Sequence, residues 1–128
     1  MSELSMSYFE TLIAANLCIR LKHAAKDAQP TKEGIYILGP NKINGKHHWI
    51  QKGGSNALWY SPSGLWKIGP KDNLGEEIAG VKSSDGSAGP LEAKTWEYVS
   101  ADYKWIDGSD MITLSSNLFE SFQLRTQS

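Results

Sequence analysis

Two adjacent histidines, His47 and His48, are the first side chains in this sequence that could hold a metal ion or relay a proton. Their spacing works against shared ligation. Successive strand residues point to opposite faces, so neighbours cannot readily bind one tetrahedral ion, as a His-x-His pair would. His23 is the third imidazole, and His, Asp and Cys fall at no other ligand spacing. A small enzyme or metal-binding domain would need His47 or His48 to meet a loop carboxylate such as Asp72 or Asp85 in a deep pocket. We expect no metal, no cofactor and no catalytic set.

The remaining candidates read as turn chemistry. Asp72-Asn73, Asp85-Gly86 and Asp107-Gly108-Ser109-Asp110 carry oxygen ligands suited to calcium, but none follows the twelve-residue loop that makes such a site specific. Asp and Asn in such places bond their own backbone. Glu76 and Glu77 are adjacent in a loop, and the sequence pairs neither with a distant carboxylate as acid and base. Nucleophile-elbow, Gly-x-Gly-x-x-Gly and Walker patterns are absent. The expected class is therefore a non-enzymatic binding or interaction module.

Composition narrows the partners. The chain has 128 residues, 40% hydrophobic and 21% charged, which suits a single globular domain with its own core. Net charge is -1, Arg20 and Arg125 are the only arginines, and the lysines are scattered, so nucleic acid is not expected as a partner. No stretch approaches the roughly 20 apolar residues that span a bilayer, and Thr11 to Ile19 lacks the basic flank of a secretory signal. Cys18 is the single cysteine, and no Asn-X-Ser/Thr sequon occurs; both lead us to expect a cytoplasmic protein.

Short β-favouring runs divided by Gly, Pro, Asn, Asp and Ser must position these residues. They predict a mainly β fold, one antiparallel barrel or compact sandwich rich in meanders. The strands are expected at 17–23, 34–38, 46–52, 57–60, 65–68, 79–83, 95–99, 104–107 and 111–114. Asn44-Gly45 suits a type I′ hairpin, because both central positions need positive φ. Gly53 to Asn56 permits a second reversal, and Ser61-Pro62-Ser63-Gly64 a third. Gly69-Pro70 should end a strand, and 71–80 and 83–91 read as longer loops.

Leu4, Tyr8, Phe9, Leu12, Ile13 and Leu17 are spaced as one helical face, so residues 1–16 are expected to supply an N-terminal helix packed on the β domain of 17–114. Self-association through that helix is the alternative, since its apolar stripe must be buried somewhere. Residues 115–128 form a C-terminal extension.

Five tryptophans can each remove roughly 150–250 Å² from water, or about 4–6 kcal/mol at 25 cal/mol per Å², so most should be core. With Trp49, Trp59 and Trp66 inward, alternation would put His48, Tyr60 and Lys67 on an outer face bordered by the two long loops. That face is the expected ligand site, suited to a glycan or to a peptide or protein ligand.

The run Gly34-Ile35-Tyr36, Asn44-Gly45-Lys46, Trp49, Leu58-Trp59-Tyr60, Trp66-Lys67-Ile68-Gly69, Ala79-Gly80-Val81 and Trp96 resembles a small Trp- and Gly-rich β module of multi-module eukaryotic proteins. The resemblance covers about residues 17–114 and implies a folding and binding unit without catalytic residues. The single copy and the lack of paired cysteines argue against an extracellular role. Trp96-Glu97-Tyr98 with Trp105 and a helix beyond Asn117 also resembles the WWE domain, which implies recognition of ADP-ribose polymers.

Overall fold

A computed structural model describes residues 16–116. Nine antiparallel strands form one sheet: β1 (Leu17–Leu21), β2 (Gly34–Leu38), β3 (Trp49–Gln51), β4 (Asn56–Tyr60), β5 (Trp66–Pro70), β6 (Val81–Ser83), β7 (Trp96–Val99), β8 (Trp105–Asp107) and β9 (Ile112–Ser116). Their order across the sheet is β8-β7-β6-β5-β4-β3-β2-β1-β9. The mainly β expectation holds, with a half-barrel rather than a sandwich. The expected N-terminal helix at 1–16 lies outside the described residues but for Asn16, as does the extension beyond Ser116.

Curling follows from connectivity. Strands β8 and β9 are consecutive in the chain yet occupy opposite edges. Laid flat, nine strands at about 4.8 Å spacing would separate those edges by roughly 38 Å. The link from Asp107 to Ile112 reaches at most about 18 Å when fully extended. The sheet must therefore bend round on itself.

The register sorts the side chains onto two faces. Trp49 opposes Leu58, Leu58 opposes Ile68, Ile68 opposes Val81 and Val81 opposes Tyr98, so these residues share the concave face. Leu17, Ile19, Leu21, Tyr36, Trp66, Trp96 and Ile112 complete the core there. Tyr36 is fully buried, and its hydroxyl donates to the Lys32 carbonyl at 2.7 Å. Burial pushes this phenol well above its ordinary range.

The segment between β1 and β2 departs from the expected strand. Leu17–Leu21 is shorter than the 17–23 run, because His23 takes φ 56 and turns the chain into α1 (His23–Ala28), a short α-helix that sequence periodicity did not reveal. The helix buries its own Ala25, and Gln29 Nε2 donates to the Val99 carbonyl at 2.8 Å, which ties this crossover to β7. Nearby, the buried Gln51 and Asn56 amides bond each other and the backbone of Thr31 and Glu33, so the polar groups at this end are satisfied.

The Asn44-Gly45 turn forms with φ 54 and 84, and Ile43 bridges Lys46 as a two-residue hairpin demands. Regular pairing then lapses. Gly39 N–H meets the His48 carbonyl at 2.8 Å, leaving Pro40, Asn41 and Lys42 opposite His47 alone. Pro40 cannot donate to a ladder, and this excursion is why β3 begins at Trp49 rather than Lys46. At the next hairpins Gly53 takes φ 71, and Gly64 N–H closes on the Ser61 carbonyl at 3.0 Å. Pro70 sits as the last residue of β5, opposite Asn56, and ends it there. At the other edge of the sheet, β9 runs on to Ser116, two residues beyond the expected strand.

Candidate functional site

His48, Tyr60 and Lys67 do not form one exposed face. Tyr60 opposes Trp66 in the register, so it lies on the concave side, its ring edge-on to Trp66 with centroids 5.1 Å apart. Trp59 instead opposes Lys67 on the convex side. Trp59 is buried all the same, because the loop 71–80 folds across it and Glu76 accepts its Nε1–H at 2.8 Å. Alternation separated Trp59 from Tyr60 correctly, but the covered face proved to be both faces.

Lys67 is only 6% exposed, held beneath the same loop with Nζ 3.6 Å from Glu77 Oε1. Burial lowers its pKa, opposed by the Glu77 charge. Glu77 also accepts from Ser63 N–H at 2.7 Å and Ser63 Oγ–H at 2.8 Å, and these bonds hold its carboxyl below the usual range. This cluster fastens the loop to the 61–64 turn.

His48 is 3% exposed and lies under the Pro40–Lys42 excursion. A Cβ on Gly39 would collide with its ring, so only glycine leaves room there. Its Nδ1 is buried with no hydrogen-bond partner. Burial lowers its pKa, while a hydrogen bond to the Asn41 backbone acts in the opposite sense. His47 faces the other way, and no group of three metal-ligating side chains occurs among the described residues. Asp107 makes the expected turn contact, its Oδ1 accepting from Ser109 N–H at 3.1 Å and Ser109 Oγ–H at 2.7 Å.

The concave side carries a cleft of about 370 Å³ at one mouth of the half-barrel, within the range of small-molecule and side-chain pockets. Leu17, Trp49 and Trp66 form its floor. The two indoles stand 6.2 Å apart with planes tilted by 57°. One wall is the Asn44-Gly45 hairpin, which brings Lys42, Lys46 and His47 to the rim. Lys46 Nζ also lies 5.1 Å from the Tyr60 ring centroid, so Tyr60 adjoins the cleft. The other wall is residues 88–92, including a 3-10 turn at Pro90–Glu92 that exposes Leu91. Trp66 Nε1 donates to the Ser87 carbonyl at 3.0 Å and anchors that wall.

Sequence reasoning missed this cleft. Its one available signal was parity: His47 shares a face with Trp49, two residues on, whereas His48 does not. The 88–92 wall comes from a loop whose path has no periodic signature.

On β7 and β8, Trp96 is buried on the concave face, whereas Trp105 is 39% exposed on the convex face, 4.2 Å from Lys82 Nζ. The two tryptophans of the WWE-like pattern are thus on opposite sides of the sheet. Compared with family models, curated proteins and solved structures, the chain matches none.

Proposed function

We propose that this protein is a non-enzymatic module that binds a peptide segment of another protein in the cleft at the half-barrel mouth. The observation that carries this reading is the pairing of an aromatic floor, Trp49 and Trp66, with a basic wall of Lys42, Lys46 and His47. Indoles tilted by 57° make a wedge rather than a flat platform. With Trp49 4% and Trp66 1% exposed, neither indole offers the flat open face on which a sugar ring stacks, which favours a peptide over a glycan. The basic wall selects acidic residues beside that anchor, and Glu92 across the mouth disfavours acidic residues on the opposite flank.

A peptide array tests this, presenting Leu or Phe anchors flanked by Asp and Glu, with Lys-flanked and glycan arrays alongside. The acidic peptides should bind, and Lys42→Glu with Lys46→Glu should weaken them about tenfold or more, a change of about 1.4 kcal/mol. Undiminished affinity in the folded double variant, or glycan binding without peptide binding, would overturn the reading.

A further inference from the structure

We propose that Asn44 is a self-modifying site: the Gly45 backbone nitrogen displaces its side-chain amide, and the carboxylate left behind releases the hairpin tip from the loop 71–80 and keeps it released. The reaction is independent of what the cleft binds.

The reacting groups are adjacent and accessible. Asn44 and Gly45 are both exposed at the tip, and no Cβ crowds the attacking nitrogen; the place where one would stand on Gly45 has no neighbouring atom within 4 Å. The hairpin bonds run between Ile43 and Lys46, at 2.8 and 3.2 Å, and no backbone carbonyl of the described residues accepts the Gly45 N–H. Once that nitrogen loses its proton it adds to Asn44 Cγ. The new C–N bond closes a cyclic imide, the Cγ–Nδ2 bond breaks, and the amide nitrogen leaves as ammonia with the proton. Water then opens the imide at either carbonyl, giving aspartate, or isoaspartate with the main chain rerouted through Cβ. Nothing is oxidised or reduced; an amide and water become a carboxylate and ammonium.

The fold sets both the rate and the consequence. Asn44 Nδ2 donates to the carbonyls of Tyr60 at 2.8 Å and Gly75 at 3.1 Å, so the leaving group is tied down while the tip is docked. Ile43 adds packing, its Cγ2 only 3.1 Å from where a Cβ on Gly75 would stand. Conversion therefore proceeds from molecules whose tip has detached. The product cannot dock in the same way, because a carboxylate only accepts hydrogen bonds and would set its charge against two carbonyl oxygens. Gly75 is the first of three successive residues that anchor the loop: Glu76 accepts from the Trp59 indole, and Glu77 holds Ser63 and Lys67. Conversion of Asn44 removes the first of these anchors.

The test incubates the whole chain at neutral and mildly alkaline pH, folded and in urea, and follows Asn44 by peptide mapping with isoaspartate detection. Asn44 should convert in the folded protein, more slowly than in urea and faster as pH rises. Ile43→Ala leaves Asn44-Gly45 intact but loosens the tip, and should raise the folded-state rate roughly tenfold without changing the rate in urea. Equal rates folded and in urea would overturn the gating, and no conversion at Asn44 in folded protein, while the chain in urea converts fully, would overturn the site itself. The converted protein, separated by its added negative charge, should exchange amide protons in residues 71–80 roughly tenfold faster than wild type, with β1 and β2 unchanged. Asn44→Asp should reproduce that acceleration and Asn44→Gly, which loses the bonds without gaining the charge, should fall short of it. Unaltered exchange in 71–80 after conversion, or equal acceleration in the Asp and Gly variants, would overturn the release by the carboxylate.

Discussion

Trp59 donates a 2.8 Å hydrogen bond from Nε1 to the carbonyl of Glu76, so a side chain of β4 holds in place the loop that buries it. Gly69 and Ala79 pack against one another within the same cover. Trp59→Phe keeps an aromatic ring but removes the donor. It should cost about 1–2 kcal/mol in urea denaturation, from the lost bond and lost contact area. Amide exchange should accelerate in residues 71–80 and stay unchanged in β1 and β2. Acceleration spread evenly over the sheet would show that the loop has no independent attachment.

Asn44 performs two tasks at the tip of the cleft wall. Its backbone takes φ 54, and its Nδ2 donates to the carbonyls of Tyr60 at 2.8 Å and Gly75 at 3.1 Å. Asn44→Gly removes the bonds and keeps the turn; Asn44→Ala removes the bonds and strains the turn. Glycine should cost about 1 kcal/mol, given the exposure of the site, and alanine about 1–2 kcal/mol more. Equal losses by thermal denaturation would mean that the side-chain bonds alone matter.

His48 sets a pH dependence. Its burial depresses the folded-state pKa below the ordinary histidine value of about 6.5, so between those two values the unfolded chain binds more protons than the folded one. Stability should therefore rise with pH across that window and fall as the solution is acidified through it. Glu33 and Glu77, whose pKa values are lowered chiefly by hydrogen bonds from Leu21 N–H and from Ser63, act in the same direction at lower pH, below about 4.3. Urea midpoints measured from pH 5 to 7.5 should slope in wild type and flatten in His48→Gln. A wild-type profile flat over that range would count against the buried neutral imidazole.

The nine strands were legible because their turns carry chemistry that local sequence declares: Asn44-Gly45, Gly53, and Pro62 with Gly64 all close the hairpins expected of them. The short helix was not. His23–Ala28 is less than two turns long, too short for a period to register, and its Ala-rich content reads as readily as the end of a strand. Face assignment failed for a different reason. Alternation separates Trp59 from Tyr60 within one strand, but cross-strand register decides which of them shares a side with Trp66; it is Tyr60, not Trp59 as expected, and tertiary packing then decides what lies over each side. The loop 71–80 covers Trp59 and Lys67, and the Pro40–Lys42 excursion covers His48, so two of the three expected ligand-binding residues are interior. The cleft combines strand residues with the 88–92 loop, and that juxtaposition exists only once the sheet has curled.

The strand order has a further cost in chain entropy. Seven of the eight pairings join strands consecutive in sequence, whereas β9 pairs with β1 across nearly the whole described chain. Aligning Leu21 with Ile112 closes a loop of roughly 90 residues, against roughly 6 for Tyr60 with Trp66, and the difference is about 2 kcal/mol of loop-closure entropy. One interface must offset that difference. It does so with a five-residue register and with Leu17, Ile19, Leu21 and Ile112, all buried, so apolar side chains of the first and last strands lie at the seam where those two strands meet.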